Sequence, residues 1–401
     1  MGIFRQIPPT ASFPIYGRDF LSIFKAGSLE EDIKNLLPSP YARITCSGTA
    51  ALYVITQILK DLSPKRTIII PSFICPLVAL AIARAGLKIA ICDIQVGRFD
   101  YDLEQLENLC SSTGDILAII VPHLGGLPAD MKAISQIVKK RGIYIVEDCA
   151  QSLGAEYDGR KVGTFGEFAF FSLCRGKGLT LYEGGVLITN QEYSGMVEKK
   201  FTQLVKDDFL AETMAILGFL GYSIFYRPSL FWFIFNLPWN FWNLLKNKVK
   251  AAAEYNRIDF PIYKMSRFRK ALGHAFFHRL APQIIRQRKV AEYYIGHLGA
   301  QENFRIMKEL PGSLATYPYL TLLFPSKEKR DNAFNALNKR GLGAFIIYIH
   351  ALTDYPYMKP YLPDGHYPNA RQFVECSLTL STNIFLTDKD LDAIIALLNH
   401  P

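Results

Sequence analysis

Lys177 lies in a loop whose neighbours suit covalent amine chemistry. Gly176 and Gly178 flank it, and glycine lets the backbone approach a bound group closely. Ser172 stands five residues earlier, at the end of an aromatic segment. A serine hydroxyl and a lysine amine that converge on one loop suit a phosphorylated aldehyde cofactor, with which the amine forms a Schiff base. A lone lysine is usually a solvated surface charge, so this interpretation depends on the neighbours.

Asp148 follows an apolar segment and has two interpretations. An isolated aspartate after a strand commonly caps a helix. The functional alternative is a carboxylate that pairs with a pyridinium nitrogen, which keeps the ring protonated and makes it an electron sink. Gln151, three residues later, either hydrogen-bonds the cofactor ring or completes the turn.

The tripeptide Ser47-Gly48-Thr49 opens the first clear helical pattern. Backbone N–H groups at a helix N-terminus, together with a hydroxyl, suit a phosphate group. Serine and threonine caps begin many helices, so this feature alone does not indicate a phosphate site.

The segments that position these residues alternate between strand and helix. Their apolar patterns predict strands at 67–70, 88–92, 116–121 and 143–146, with helices at 49–62, 78–85 and 131–141. Buried strands that alternate with helices indicate a parallel α/β sheet with right-handed crossovers. Ligands bind at the carboxyl ends of such strands, which is where Asp148 lies.

The pattern changes after about residue 200. We predict a large α/β domain with an N-terminal arm over 1–206, a hydrophobic Trp-rich insertion over 207–262, and a smaller α+β domain over 263–401. In the last part the patterns predict one long helix over 267–298, strands at 319–323 and 345–347, and a closing helix over 388–398.

The insertion is almost free of charge. Between Met214 and Leu245 the only charged residue is Arg227, and all three tryptophans of the chain lie there. Prolines interrupt this stretch, so it does not predict a membrane-spanning helix. Three lysines follow within 246–250, and aromatic residues beside lysines are typical of a segment in the headgroup region of a bilayer. The insertion therefore predicts either a peripheral membrane contact through Met214 to Lys250 or a hairpin buried against the body or a dimer interface.

Composition excludes several classes of protein. The 401 residues carry a net charge of +9, half are hydrophobic and a fifth are charged, which excludes intrinsic disorder. No helix-turn-helix, zinc or RNA-binding motif supports a nucleic-acid partner. The seven histidines do not cluster with cysteines or carboxylates at ligand spacing, so no metal is expected. Seven cysteines without a CxxC pair indicate reduced thiols, and no signal peptide is evident in Met1–Phe13, so we expect a cytoplasmic protein.

Seven segments together resemble one family, the DegT/DnrJ/EryC1/StrS aminotransferases. The segments follow the family's order: SGTAAL (47–52), IPSF (70–73), VPHLGGLPADM (121–131), VEDCAQSLGAEYDGRKVGTFG (146–166), FS-x4-K-x5-EGG (171–185), KMSRFRKALG (264–273) and FVECSLTLSTNIFLTDKDLDAI (373–394). The resemblance covers most of the chain outside roughly residues 207–260. It implies a fold-type-I, pyridoxal 5'-phosphate-dependent transferase that works as a homodimer, with a mostly parallel sheet flanked by helices and a smaller C-terminal α+β domain.

The resemblance also implies roles for single residues. Lys177 forms the Schiff base with the cofactor, and Asp148 holds its pyridine nitrogen. Gln151 contacts the cofactor ring or its phenolic oxygen. The phosphate is bound by Ser172, Gly48 and Thr49. Relatives that act as sugar dehydratases replace the lysine with histidine, so the lysine retained here favours transamination.

Three positions depart from the family pattern. Cys75 stands where an aromatic residue usually stacks on the cofactor. Ile262-Tyr263-Lys264 replaces an Asn-Tyr-Arg triplet that reaches the partner subunit's active site, so Lys264 takes the place of the arginine. His350, in the stretch YIHALTDYPY, has two interpretations, a substrate contact or a packing residue. These changes indicate a divergent substrate or a changed cofactor environment.

The resulting hypothesis is a transaminase that moves an amino group, from glutamate by family analogy, to a nucleotide-linked keto-sugar for cell-surface polysaccharide or glycoconjugate biosynthesis. Two alternatives remain. The Trp-rich insertion suggests a lipid-linked or membrane-delivered keto substrate, and the departures at Cys75 and Ile262 suggest a degenerate, non-catalytic, cofactor-binding regulatory protein.

Overall fold

The fold is described from a computed structural model, for residues 5–24, 27–245, 257–298 and 303–399. The lysines predicted to follow the insertion, Lys246, Lys248 and Lys250, lie outside these residues.

A seven-stranded sheet forms the centre of the molecule. Its strands are β1 (Tyr41–Thr45), β2 (Thr67–Pro71), β3 (Lys88–Cys92), β4 (Ile116–Pro122), β5 (Tyr144–Asp148), β8 (Phe168–Ser172) and β9 (Gly185–Thr189). They lie in the order β1-β9-β8-β5-β4-β2-β3. Six of them run in the same direction, and β9 is antiparallel to both of its neighbours. The predicted mostly parallel α/β sheet is therefore confirmed.

The central strands are apolar because helices cover both faces of the sheet. Every residue of β2 and of β4 is buried, so these strands show continuous rather than alternating hydrophobicity. In the first half α1 (Leu29–Leu36) precedes β1. The helices that follow strands are α2 (Gly48–Leu62), α3 (Pro76–Arg84), α4 (Leu103–Ser112), α5 (Met131–Val138) and α6 (Ser194–Leu204). Each predicted strand and helix of this half forms within two or three residues of its predicted bounds.

Smaller sheets and further helices make up the rest. One antiparallel sheet joins β10 (Arg305–Ile306), β12 (Tyr319–Leu323) and β13 (Ser377–Ser381), and another joins β6 (Glu156–Tyr157), β7 (Arg160–Lys161) and β11 (Ser313–Leu314). The later helices are α7 (Phe209–Phe225), α8 (Phe231–Ile234), α9 (Asn236–Leu244), α10 (Arg267–Phe277), α11 (Leu280–His297), α12 (Lys327–Lys339), α13 (Pro368–Cys376) and α14 (Asp388–Asn399).

Two predictions for this second part are wrong in detail. The helix predicted over 267–298 is two helices, because the chain turns at His278 and Arg279 between α10 and α11. The strand predicted at 345–347 does not form, since only Phe345 pairs with a neighbour, in a single bridge to Thr379. The apolar side chains at 345–347 are partly buried, but no neighbouring strand among the described residues pairs with this segment along its length.

The Trp-rich insertion forms α7, α8 and α9. The side chain of Asp208 caps α7 by accepting a hydrogen bond from the backbone of Ala211. Phe219 is fully buried and stacks on Phe276 of α10, with 6.3 Å between ring centroids. The part of the insertion that faces the body is therefore a hydrophobic core contact.

A buried ion pair fixes α7 to the body. The guanidinium of Arg269, which is fully buried, donates two hydrogen bonds to Glu212 and another, of 2.6 Å, to the backbone oxygen of Glu183. Because a guanidinium and a carboxylate match in shape, this pairing also sets the orientation of the helix. It connects α7, α10 and the segment just before β9.

The other face of the insertion is exposed and apolar. Met214, Leu217 and Ile224 of α7 are 57%, 55% and 59% exposed. Within the described residues, no helix has the length and hydropathy that crossing a bilayer requires. The insertion thus combines a buried face with an unusually apolar outer face.

The N-terminal arm lies between the insertion and the C-terminal part of the chain. The hydroxyl groups of Tyr222 and Tyr226 hydrogen-bond to Ser12 and to the backbone oxygen of Thr10. On its other side, the amide of Asn383 donates to the same oxygen of Thr10 at 2.7 Å. These contacts fix residues 10–12, and Thr10 lies at the edge of a cavity of about 770 Å³.

Candidate active site

A cavity of about 770 Å³ opens at the carboxyl ends of β5 and β8. This is the position at which a parallel sheet binds ligands. Six of the seven predicted site residues line it: Gly48, Thr49, Asp148, Gln151, Ser172 and Lys177. Residues that are separated by more than a hundred positions in sequence therefore meet at one site.

Lys177 projects from the loop that joins β8 to β9. Backbone hydrogen bonds close the base of this loop, from Leu173 to Gly184 at 2.8 Å and from Arg175 to Tyr182 at 2.9 Å. Gly176 has a φ of 80°, a left-handed conformation that places the following lysine on the cavity side of the turn. The loop is thus a defined structure that holds the lysine amine at the cavity.

Asp148 is the last residue of β5 and is only 5% exposed. Burial raises the pKa of its carboxyl to about 6, although the N–H of Ala150 and the positive charge of Lys177 act in the opposite direction. A buried carboxylate whose charge is penalised gains most from a cationic partner. The environment of Asp148 is therefore suited to a protonated ring nitrogen.

The N-terminus of α2 faces the same cavity. The hydroxyl of Ser47 caps the helix by accepting from the backbone N–H of Ala50 at 3.0 Å. A side chain at Gly48 would place its Cβ 3.2 Å from the backbone oxygen of Phe171 and 3.4 Å from the Cβ of Ser172. Glycine therefore allows α2 and β8 to approach closely, and brings helix N–H groups beside the Ser172 hydroxyl. This set of donors suits a phosphate.

Gln151 has a fixed orientation. Its side-chain oxygen accepts hydrogen bonds from the backbone N–H of Gly125, at 2.8 Å, and from the hydroxyl of Tyr319. The residue thus connects the loop after β4 to β12. Its predicted contact with a cofactor ring stays a prediction.

Lys264 is the predicted site residue that does not line this cavity. Its amine lies 3.1 Å from the carboxylate of Asp207 near the surface, with the lysine side chain 46% exposed. Its predicted action across a dimer interface stays a prediction.

The departures from the family pattern fall in different places. Cys75 caps α3 and lines the cavity, whereas His350 does not line it and packs edge-on against Tyr355, with 5.1 Å between the rings. Tyr348, two residues before His350, does line the cavity and packs against Phe73. The structure therefore supplies an aromatic side chain near Cys75 from the stretch 348–357, in which the sequence analysis considered only His350.

A buried pair behind Asp148 was also not anticipated. Nε2 of His123 lies 3.1 Å from Glu147, and Nδ1 of His123 accepts from the N–H of Ala129. An accepting Nδ1 places the ring proton on Nε2, so the histidine is a neutral donor to Glu147. The pair sits at the ends of the adjacent strands β4 and β5, which sequence spacing alone does not reveal.

His123, Glu147 and Cys149 bring three potential metal ligands within 4.8 Å of one another. The carboxylate of Glu147 also accepts three backbone N–H groups, from residues Gly163, Phe165 and Gly166. Hydrogen bonds within the protein therefore already use the lone pairs that a metal would need. The geometry supports a structural role that fixes the end of β5 and, through it, Asp148.

The insertion forms one wall of the cavity. Its lining residues are aromatic, aliphatic or glycine: Gly218, Gly221, Tyr222, Phe225, Tyr226, Phe231, Ile234 and Phe235. Sequence analysis did not anticipate this. The available signal is the spacing of 218, 221, 222 and 225, which places these residues on one side of a helix.

A family model for the DegT/DnrJ/EryC1/StrS aminotransferases matches residues 24–212 and 254–399. The chain belongs to this family. It is accordingly a pyridoxal 5'-phosphate-dependent aminotransferase, and the gap in the match, 213–253, covers most of the apolar insertion.

Individual relatives agree with this assignment. A GDP-perosamine synthase of Caulobacter vibrioides is 25% identical over 368 residues, which are 89% of this chain and 85% of that protein. A UDP-N-acetyl-3-dehydro-alpha-D-glucosamine 3-aminotransferase of Acidithiobacillus ferrooxidans is 32% identical over 163 residues, 40% of this chain and 43% of that protein.

Solved structures show the same fold. The sugar aminotransferase Spr1654 from Streptococcus pneumoniae, described as putative, aligns with TM-scores of 0.76 in its PMP form and 0.73 in its PLP form. Sequence identity is 22% and 21%, and each alignment covers 98% of this chain and at least 97% of that structure.

The cavity of this aminotransferase fits the cofactor of its family. Lys177 offers an amine, Asp148 a buried carboxylate, and the N-terminus of α2 with Ser172 a set of anion donors. Because Gly48 has no side chain, the N-terminus of α2 packs closely against the end of β8, which carries the Ser172 hydroxyl, and a helix N-terminus beside a hydroxyl suits a phosphate.

Proposed function

We propose that this enzyme transfers an amino group from glutamate to the ketone of a sugar. The observation that carries the proposal is the meeting of Lys177, Asp148 and Ser172 in one cavity. The names of the relatives, a perosamine synthase and a UDP-sugar 3-aminotransferase, support a sugar as the acceptor.

When bound, pyridoxal 5'-phosphate supplies an electron sink that stabilises negative charge at the substrate carbon. The chain's own residues then have separate tasks. Asp148 keeps the ring nitrogen protonated, because its buried charge is offset by a cation. The helix terminus at Gly48 and the hydroxyl of Ser172 anchor the phosphate. Lys177 moves the proton at the substrate carbon, the acid/base role that a lysine amine within reach of that carbon can fill.

The first candidate for the acceptor is a nucleotide-linked keto-sugar used in cell-surface polysaccharide or glycoconjugate biosynthesis. The GDP- and UDP-sugars named in the relatives support it. The second candidate is a lipid-linked keto-sugar, which the apolar cavity wall favours.

A spectroscopic half-reaction tests the amino transfer. Purified protein loaded with pyridoxal 5'-phosphate should change its absorbance on addition of glutamate, as the aldehyde form of the cofactor becomes the amine form. Lys177→Ala should abolish this change, with a loss of at least about a thousandfold in rate. Lys132→Ala, at an exposed lysine of α5, is the matched control and should react normally.

Two outcomes would contradict the proposal. If wild-type protein binds the cofactor but glutamate and other amino acids leave its spectrum unchanged, the degenerate, regulatory alternative is favoured. If Lys177→Ala reacts as fast as the wild type, Lys177 does not have the proposed role.

A further inference from the structure

The active-site cavity extends well beyond the residues that suit the cofactor. Its volume, about 770 Å³, lies towards the upper end of the range of roughly 300–1,000 Å³ for small-molecule sites. From Lys177 and Asp148 it continues to Phe225, Phe231 and Phe235 of the insertion. One end of the space is therefore polar and reactive, and the other is apolar.

Charge is sparse along this cavity. Among its described lining residues, the side chains with a formal charge are Asp148, Arg175 and Lys177. Asp148 and Lys177 are assigned to the cofactor. Arg175 is therefore the cation that remains to bind a further anionic group of the substrate. The wall formed by the insertion offers rings and aliphatic groups, which bind hydrocarbon well and a nucleotide's ribose and diphosphate poorly.

The helix α7 connects this wall to the apolar outer surface. At 3.6 residues per turn, Ile224, Leu217 and Met214 fall on one strip of the helix, and all three are exposed. The next strip around the helix holds Phe225 and Gly218, which line the cavity. Gly221 falls on the exposed strip, between Leu217 and Met214, and also lines the cavity.

The loop that carries the catalytic lysine packs directly against α7. A Cβ on Gly218 would lie 2.2 Å from the ring of Tyr182, so glycine is required for this contact. Tyr182 itself has a φ of 71°, a conformation that costs a non-glycine residue on the order of 1–2 kcal/mol. Arg175 lies over the same ring, 4.7 Å from its centroid. The apolar wall is thus in contact with the reactive loop rather than being a separate patch.

We propose that this apolar part of the cavity binds an aliphatic chain of the amino acceptor. The ketone then lies at Lys177, any phosphate of the acceptor near Arg175, and the chain along the insertion toward the exposed strip of α7. The inference rests on the proposed amino transfer and assigns its acceptor to the amphipathic class, that of lipid-linked sugars.

Alkyl glucosides with six, eight and ten carbons in the chain test this, each below its critical micelle concentration. Binding to the cofactor-loaded enzyme is measured by titration calorimetry. Affinity should rise by about fourfold for each methylene buried. UDP serves as the comparison ligand and should bind more weakly than decyl glucoside.

Gly221→Leu is the informative variant. A Cβ at this helical glycine meets nothing within 4 Å, and leucine favours a helix more than glycine does, so the variant should fold. The larger side chain occupies the boundary between the cavity and the surface and should weaken binding of decyl glucoside at least tenfold. Gly296→Leu, at an exposed helical glycine of α11 with the same open space, is the control and should bind like the wild type.

Three outcomes would overturn the inference: affinity that does not depend on chain length, UDP binding more tightly than decyl glucoside, or chain-length dependence that is unchanged in Gly221→Leu. Affinity that does not depend on chain length is also expected if a second copy of the chain covers the apolar wall. Chain-length dependence that is unchanged in Gly221→Leu is also expected if the glucosides bind only to the exposed strip of α7. The glutamate half-reaction is measured on the same samples. A wild-type enzyme that binds the chains but does not react with glutamate contradicts the amino transfer and leaves the binding site established.

Discussion

The burial of Asp148 suits the binding of a cationic ligand group but lowers the stability of the protein when no ligand is bound. Its carboxylate is buried, and in the folded chain its pKa is about 6 instead of the ordinary 3.8. The folded protein therefore holds this proton more tightly than the unfolded chain does. As the pH rises through 4 to 6, ionisation of Asp148 progressively destabilises the fold, until the charge gains a cationic partner.

Replacing Asp148 by asparagine should therefore stabilise the cofactor-free protein at neutral pH. The expected gain is on the order of 3 kcal/mol above about pH 6 and should vanish near pH 4, where the wild-type carboxyl is protonated. Thermal unfolding between pH 4 and 8 measures it. The same variant should bind pyridoxal 5'-phosphate more weakly than the wild type. Asp364→Asn, at an exposed position, should follow the wild-type pH profile, and a shared profile for all three proteins would refute the argument.

At the scale of elements, α7 is the least usual part of the molecule. Its inner side is fixed by the Arg269–Glu212 pair and by Phe219, while its outer strip of Met214, Leu217 and Ile224 faces outward. The two interpretations that the sequence left open, burial and membrane contact, concern different faces of the same helix. The buried face exists, and contact of the outer face with a bilayer remains a prediction.

Removing the apolar character of the outer strip should reduce binding to membranes. We expect wild-type protein to float with anionic liposomes, and the triple variant Met214→Ser, Leu217→Ser, Ile224→Ser to float several-fold less, because the buried contacts of α7 are unchanged. Deletion of residues 214–245 should abolish flotation. A control that changes exposed apolar residues elsewhere, Val96→Ser with Ile285→Ser, should float like the wild type. Equal flotation of the wild type and the triple variant would rule out this strip as the contact.

The elements differ in how far the sequence determines them. The strands β2 and β4 are uninterrupted apolar runs, so they were predicted within one residue of their bounds. Lys177, Asp148 and Ser172 were predicted as a group because their motifs together resemble the aminotransferase family, and the structure brings all three to one cavity. The break between α10 and α11 was missed although Pro282, in the first turn of α11, is a signal for the start of a new helix. Residues 345–347 look like a strand but find a partner only at Phe345.

The cavity wall was missed for a different reason. Contacts between the Lys177 loop and α7 join residues that no local pattern relates, such as Tyr182 and Gly218. The apolar composition of the insertion was visible in the sequence, but its direction, toward the active site on one side and outward on the other, depends on the tertiary fold. The same holds for the pair His123 and Glu147, which only the neighbouring positions of β4 and β5 bring together.

At the scale of the whole molecule, Lys264 raises the question of assembly. It lies away from the cavity of its own chain, and the family resemblance implies that its segment reaches the site of a partner subunit. If so, each site of a homodimer takes Lys177 from one subunit and Lys264 from the other.

Mixing two inactive variants tests this arrangement. Lys177→Ala and Lys264→Ala should each impair the glutamate half-reaction. Heterodimers formed by coexpression contain one intact site in two, so a random mixture should recover roughly a quarter of the wild-type amplitude. A mixture of Lys177→Ala with Asp148→Asn, both on the same side of the site, should recover little if both residues act within one chain. Heterodimers of the first pair that remain inactive would show that Lys264 does not act across the interface.

The position of the N-terminal arm has a consequence for biosynthesis. Thr10 is hydrogen-bonded by Tyr226 and by Asn383, so its partners lie 216 and 373 residues later in the chain. A ribosome makes the arm first, yet nearly the whole polypeptide must emerge before these bonds can form. Closing loops of this length is entropically costly and follows the formation of local structure. The active-site cavity, which Pro9 and Thr10 border, is therefore completed only after Asn383 has been made, as a late step of folding.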